Sequence, residues 1–434
     1  MTSEVALMNR SAVALAADSA ATITYWNPDK AKQEQRFFKR VNKIFNIVSQ
    51  KPVGLMVYGT GSLQGMPWEV LAKAYRDDHV GQGHDLLPAY ADDFFKYLAD
   101  TRDIFPEDQQ HRALLSAISE SMASLSYSIL FDDAYKAETD AQKKTDLATN
   151  MVNIGEGNIY GRDYINDVAK AIHDEINQAQ QPYIDHVLQS EEGKFFVGEM
   201  GQPLVDRLIP LAIARLFKAG ICPLDQTGVV VAGYGEKQYM PQLEQFTVYG
   251  LFKNKLIFTR LARGCRSITF DNTSDLVPIA QSNMINTFFL GADVPTLEEI
   301  DSYVGKAIEE FRTELVTAGH LLDNVDTTPM STKATTEFTT RVRRYIQKEH
   351  TRPLRLVIGM LSPEELGDLA ETLVSAESLK ERVTRPTESV SGPVDVAVIS
   401  KSDGFIWIKR KHYFDPNLNL RFVAKRQQEV KEES

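Results

Sequence analysis

Cysteine is scarce in this sequence: Cys222 and Cys265 are the only two in 434 residues. Two thiols exclude a disulfide framework and fall short of the ligand set of a structural zinc site. They suit a reducing compartment, where they pack as small hydrophobes. Long apolar runs are missing too. The run AVALAA at 12–17 follows a single Arg10 and is cut off by Asp18. Neither an export signal nor a membrane span of roughly 18 uncharged apolar residues is expected, which places the amino terminus close to Met1. Positive charge is in deficit, with 48 Lys and Arg against 59 Asp and Glu and a net charge of −11. That balance disfavours nucleic acid and anionic membrane as partners. A cytoplasmic location is the expectation.

What is present is the composition of a globular chain, 43% hydrophobic and 25% charged, long enough for one large core or two ordinary ones. Strand patterns occupy 3–9 and 11–17 around an Asn9-Arg10-Ser11 turn, then 43–48 and 53–58 around SQKP. Pro67 stands where the next helix begins. From about 88 to 220 the apolar spacing is helical, and strand character returns at 227–235, 245–252 and 254–261. Thr296-Leu-Glu-Glu299 and Ser362-Pro-Glu-Glu365 are both capping-box patterns. The first precedes Ile300, Val304, Ile308, Phe311 and Leu315 on one helical face. Two last strands, 393–400 and 404–410, flank Lys401-Ser402-Asp403, and the charged tail at 426–434 reads as disordered. Strands in clusters and helices in blocks make an α+β chain rather than a regular βαβ alternation.

Thr2 follows the initiator methionine, and a small second residue favours removal of Met1. A free threonine carries its own catalytic pair, a hydroxyl nucleophile and an α-amine that acts as its base. A model α-amine titrates at roughly 7.7–8.0, so a modest depression makes it a competent base at neutral pH. A lysine ammonium nearby supplies that depression by like-charge repulsion. Asp18 ends the second strand, and a hairpin returns it to the chain start. Lys43 opens the next strand, so an Asp18–Lys43 pair beneath Thr2 would set the surroundings of the amine. Gly59 in VYGTG offers a backbone N–H to a developing oxyanion. Other motifs carry less chemistry. His79 and His84 lie in a polar loop, and GYG (233–235) and GTG (59–61) lack the third glycine of a dinucleotide fingerprint. The basic stretches RVRRYIQKEHTRPLR and KRKHYF read as solvated faces in an acidic chain.

The order of these pieces, TSEVALMNRSAVALAADSAAT, KIFNI and then MVYGTG before a helix, resembles the N-terminal half of a proteasome β-type subunit. It is similar also to the peptidase subunit of the bacterial HslUV protease. The resemblance implies an N-terminal nucleophile (Ntn) hydrolase, built as a four-layer αββα sandwich, here with a large helical insertion. By it the nucleophile is Thr2, the aspartate Asp18, the lysine Lys43 and the oxyanion glycine Gly59. Ser282, in PIAQSNMINTFFLG, takes the place of a serine that supports the amine, and Glu388 and Ser391 stand where the family has a shorter carboxylate and a Ser-Gly. The segment between Asp18 and Lys43 is longer than in the family by a loop containing WNPDKAKQEQRFF, which leaves Lys39 and Lys32 as alternatives for the lysine.

The implied division is residues 2–87 and 226–425 for the two parts of the sandwich, 88–225 for the insertion and 426–434 for the tail. The implied function is a threonine-type endopeptidase needing neither metal nor organic cofactor. It would act on peptide or protein substrates as a homo-oligomer, with an unfoldase as a further partner. A non-catalytic scaffold or regulatory subunit of the same fold, and an amidohydrolase of small amides, are the alternatives.

Overall fold

The structure is a computed structural model, and it describes residues 3–27, 32–38, 40–322, 324–384, 392–411, 414–421 and 424. Thr2, Glu388, Ser391, Lys39 and the tail at 426–434 lie outside the described residues. The chain is mixed helix and antiparallel sheet, an α+β fold.

In chain order the strands are β1 (Ser3–Asn9), β2 (Ala12–Ala17), β3 (Ala21–Asn27), β4 (Lys32–Phe38), β5 (Ile44–Asn46), β6 (Val53–Gly59), β7 (Ser62–Leu63), β8 (Met66–Pro67), β9 (Thr227–Gly233), β10 (Gln242–Phe252), β11 (Lys255–Arg260), β12 (Arg266–Ser267), β13 (Ser274–Ala280), β14 (Asp395–Ser400) and β15 (Gly404–Lys409). The helices are α1 (Trp68–Asp78), α2 (Leu87–Asp100), α3 (Glu107–Leu130), α4 (Asp133–Ala137), α5 (Ala141–Tyr160), α6 (Asp167–Gln178), α7 (Gln181–Gln189), α8 (Glu191–Met200), α9 (Gln202–Arg215), α10 (Asn283–Leu290), α11 (Val294–Thr317), α12 (Thr328–Ile346), α13 (Arg352–Ile358) and α14 (Pro363–Thr384). A π-helical turn, Gln347–Thr351, joins α12 to α13. The chain divides into two compact units.

The first unit comprises Met1–Ile44, Tyr239–Pro241 and Ser267–Ser434. Its sheet runs β13-β1-β2-β14-β15, all neighbours antiparallel. Alternation along the strands sends Val5, Leu7, Ala12, Ala14, Ala16, Val396 and Val398 to one face, where they meet Ile285, Ile358, Leu366, Ala370 and Val374 of the helices. Small alanines on β2 let α14 approach, and at Gly367 an added Cβ would come within 3.2 Å of Val398. The β1–β2 turn is set by Asn9, whose Oδ1 accepts from the N–H groups of Ser11 (2.9 Å) and Ala12 (3.1 Å).

Two expectations fail in this unit. The WNPDKAKQEQRFF segment contributes to a strand pair, β3 with β4, where the sequence reading had a loop. Helix α11 starts at Val294 with Asp293 as its N-cap, so Thr296 lies within the first turn and caps nothing. Pro295 explains the early start, since its fixed φ suits the first helical positions. The apolar face of α11 is not a core face either: no residue of the helix is buried, and Phe311 is 62% exposed. The second capping box forms as drawn from sequence, Ser362 N–H to Glu365 Oε2 at 2.9 Å and Glu365 N–H to Ser362 Oγ at 3.3 Å.

The second unit comprises Phe45–Gln238 and Gln242–Arg266. Its sheet runs β11-β10-β9-β6-β5, with β9 buried along its whole length. Helices α1 and α2 cover this sheet through Trp68, Leu71, Tyr75, Phe94, Phe95 and Leu98. The remaining helices, α3 to α9, enclose a separate core around Ile118, Met122, Val152, Ile172, Val205 and Leu208. By length and composition α3 qualifies as a membrane span, although no uninterrupted apolar run marks it. In the fold it packs on α9, where Ser121 Oγ donates to the carbonyl of Ala212 at 3.0 Å.

Candidate active site

The β1–β2 hairpin decides what stands beside the start of β1. Its register pairs Glu4 with Ala17, so the residue after β2, Asp18, comes level with Ser3. The contact is reciprocal: Asp18 N–H donates to the Ser3 carbonyl, and Ser3 N–H donates to Asp18 Oδ1, both at 3.1 Å. Asp18 Oδ2 accepts from Ala20 N–H at 3.2 Å. These backbone bonds leave the carboxylate one orientation.

Lys43 reaches this carboxylate. A bond from Val41 N–H to the Ser19 carbonyl, 3.0 Å long, lays the segment before β5 alongside the end of β2. Lys43 Nζ is then 2.6 Å from Asp18 Oδ1 and 3.5 Å from Glu4 Oε1. All three groups are buried: Lys43 is 4% exposed, Asp18 1% and Glu4 0%. Lys43 is thus the lysine in contact with Asp18, while Lys32 belongs to β4 and Lys39 lies outside the described residues.

Glu4 was not singled out from sequence. Its signal was present, a lone acid in an otherwise apolar strand, alternating with Val5 and Leu7 and so turned away from the α14 face. A second ion pair was missed as well. Asp395 opens β14 in register with Ala17, and its carboxylate holds both the Nζ of Lys411 and, at 2.9 Å, the Lys411 N–H. Lys411 belongs to the KRKHYF stretch read as a solvated face, yet its side chain is only 9% exposed. Burial pushes the Lys411 ammonium below the usual lysine range. The Asp395 carboxylate opposes that shift, and the like charges of Lys43 and Arg410 add to it. Two lysines and three carboxylates thus gather at one end of the sheet.

The other expected residues are distributed as follows. Ser282 is the N-cap of α10, two residues beyond Ala280, the register partner of Ser3. Its Oγ accepts from Asn286 Nδ2 at 3.1 Å, and Glu377 of α14 takes the nearby Met284 N–H at 2.6 Å. Gly59 ends β6 in the second unit with φ +82°, and a Cβ there would sit 2.7 Å from the Gln226 carbonyl oxygen, so glycine is required. Thr2, Glu388 and Ser391 lie outside the described residues.

His79 and His84 converge on Asp93, their Nε2 atoms 3.7 and 3.5 Å from its Oδ2, which also accepts from Tyr75 OH at 2.7 Å. Among the described residues no set of three or more His, Cys, Asp or Glu is arranged to hold a metal. Chemically, Asp18 Oδ1 is shared between Ser3 N–H and Lys43 Nζ, so a desolvated ion pair lies beside the residue that follows Thr2. Charges withdrawn from water in this way interact with little screening by solvent.

No family model matches the chain, and no curated protein matches it. Among solved structures it is similar to an Anbu (Gly-1) mutant from Hyphomicrobium sp. strain MC1, at 11% identity and a TM-score of 0.26, over 99% of this chain and 97% of that one. It is similar to Anbu from the same strain at 12% identity and a TM-score of 0.24, over 99% and 97%. A third is Anbu (ancestral beta-subunit) from Yersinia bercovieri, at 11% identity and a TM-score of 0.24, over 99% and 94%. The identification made from sequence is corrected by the family comparison. The chain matches no model of the proteasome β-type and HslV-like family, and the three solved structures named above are Anbu proteins.

Proposed function

We propose that this chain is a threonine-type amide hydrolase, with Thr2 as an amino-terminal nucleophile exposed by removal of Met1. One observation carries the reading: the buried Lys43–Asp18–Glu4 cluster is bonded, through Asp18, to Ser3, the residue next to Thr2. An ion pair excluded from solvent at the open end of the β1–β2 hairpin has no evident need to be there for folding alone, because a hydrophobic replacement is often neutral or stabilising.

In this reading Thr2 Oγ attacks the carbonyl carbon of the amide while the Thr2 amine takes the hydroxyl proton. Lys43 is assigned to lowering the pKa of that amine through like-charge repulsion, and Asp18 and Glu4 hold Lys43 in place. The proton passes to the leaving amine as the C–N bond breaks, and water then hydrolyses the Thr2 ester. Ser282, Glu388 and Ser391 are assigned to ordering the amine and the water, and the assignment of Gly59 N–H to the oxyanion rests on the sequence pattern alone. The four-layer αββα arrangement with its helical insertion belongs to the same proposal and rests on the sequence pattern. Peptides are the proposed substrates.

The test is the intact mass of protein with an untagged amino terminus, before and after a threonine-directed epoxyketone, beside turnover of fluorogenic peptides. Loss of Met1 is expected in the parent and in Thr2→Ala alike, because alanine is also small, whereas a single adduct and turnover are expected in the parent and absent in Thr2→Ala. A processed chain that stays unlabelled and hydrolyses nothing would refute the assignment.

A further inference from the structure

The basic stretch RVRRYIQKEHTRPLR plays no part in the site above, and its fold gives it a shape. It forms the end of α12, the π-helical turn and the start of α13 as one continuous rod. Arg344, Lys348, Arg352 and Arg355 all line one groove of about 820 Å³, whose opposite wall is the loop at 271–274. Two α-helical steps of four residues would carry Arg352 about 80° around the rod from Arg344. The wider π turn rotates less per residue and so takes up part of that drift. The result is a row of cations facing the same space.

Two of the four charges are uncommitted. Among the described residues Arg344 and Arg352 make no ion pair. Lys348 meets only its exposed neighbour Glu349, at 2.7 Å. Arg355 is anchored, with Nη2 on Asp275 at 2.9 Å, while its buried Nε–H has no hydrogen-bond partner among the described residues. Asp271 is the one carboxylate in the lining. A groove holding four cations against one acid, in a chain of net charge −11, is a local reversal of sign.

We propose that this groove binds a small molecule carrying two or more linked phosphates. Guanidinium forks match phosphate oxygens two at a time. The cations repeat every ~6 Å along the rod, so neighbouring phosphoryl groups of one ligand meet different side chains. Thr273 and Gln347 add neutral donors in the lining. The volume lies within the range of about 300–1,000 Å³ typical of small-molecule sites, and a concave site of that size favours a compact ligand over a duplex or a folded partner.

The test is titration calorimetry of the full chain with sodium tripolyphosphate, with ATP and with orthophosphate. Saturable binding of tripolyphosphate at one per chain is expected, weakening with added salt and exceeding orthophosphate. ATP binding tighter than tripolyphosphate identifies a nucleotide as the source, and equal binding identifies the phosphate chain itself. The double variant Arg344→Glu/Arg352→Glu should weaken binding by at least about tenfold with unchanged circular dichroism, because both side chains are exposed. The milder Arg344→Gln/Arg352→Gln pair should fall between it and the parent. No saturable binding of either polyphosphate, or affinity unchanged in both variants, overturns the proposal. So does tighter binding of a glutamate-rich peptide or a single-stranded oligonucleotide than of tripolyphosphate.

Discussion

Replacing Lys43 by Met removes a cation from between two buried acids and nothing else of similar size. At 2.6 Å and an effective dielectric constant of about 20, its attraction to Asp18 amounts to about 6 kcal/mol, and the desolvation of both ions offsets much of it. In the variant the attraction is gone while Asp18 and Glu4 stay buried. Losses of this kind run to about 3–5 kcal/mol. Because the chain has two compact units, a single global unfolding energy is the wrong readout. Hydrogen exchange of the β1 and β2 amides, followed by mass spectrometry on peptides covering 3–17, reports the affected hairpin directly. A loss of 3–5 kcal/mol would speed their exchange by about two to nearly four orders of magnitude. The companion Asp18→Asn/Lys43→Met variant leaves a neutral amide where the unpaired carboxylate would be, and should recover about 2 kcal/mol relative to the sum of the single losses. Less than about 1 kcal/mol of lost protection in Lys43→Met, or strict additivity in the pair, would refute the argument that the cluster acts as one ionic unit.

Two further predictions follow from the same kind of reasoning. Asn9 is 1% exposed and makes four hydrogen bonds, two in the β1–β2 turn and two from Nδ2 to the carbonyls of Ile358 (3.0 Å) and Leu361 (2.9 Å). Asn9→Ala should destabilise by about 2–3 kcal/mol in the same exchange experiment, since buried partners are left unsatisfied. His173, buried in the helical core against Tyr164 OH at 3.0 Å, has its pKa lowered from 6.5, first by burial and then by Lys218, against the pull of Asp174. The unfolded chain therefore binds a proton that the folded chain resists, and stability falls as pH drops below about 6.5 toward the lowered value. Thermal melting from pH 7.5 down to 5 should show that slope in the parent and a flatter one in His173→Gln; equal slopes would show that another group carries it.

Much of the candidate site was legible because it is built from local pairing. Asn9-Arg10-Ser11 between two strand patterns implies a hairpin, and a hairpin with Glu4 opposite Ala17 brings Asp18 to Ser3 whatever the rest of the chain does. The Ser362 capping box was legible for the same reason, since both of its bonds span three residues. Lys411 was not. Its burial depends on β14 lying beside β2, almost 380 residues away in sequence, and a lysine within KRKHYF carries no mark of that. Thr296 misled because a capping pattern competes with the helix-starting preference of Pro295, and the pattern alone does not say which prevails.

The sequence by itself determined the alternation of strands and helical blocks, the turn at Asn9 and the return of Asp18 to the chain start. Those follow from side-chain periodicity and short-range hydrogen bonds, which need no distant partner. Tertiary structure alone decided that Lys43 has two carboxylates rather than one, that Lys411 is buried, and that four basic residues of a helical rod share one groove. The physical reason is the range of the interactions. Charge and periodicity are properties of a segment, whereas desolvation is a property of whatever packs against it, and that is fixed only when the whole chain has folded.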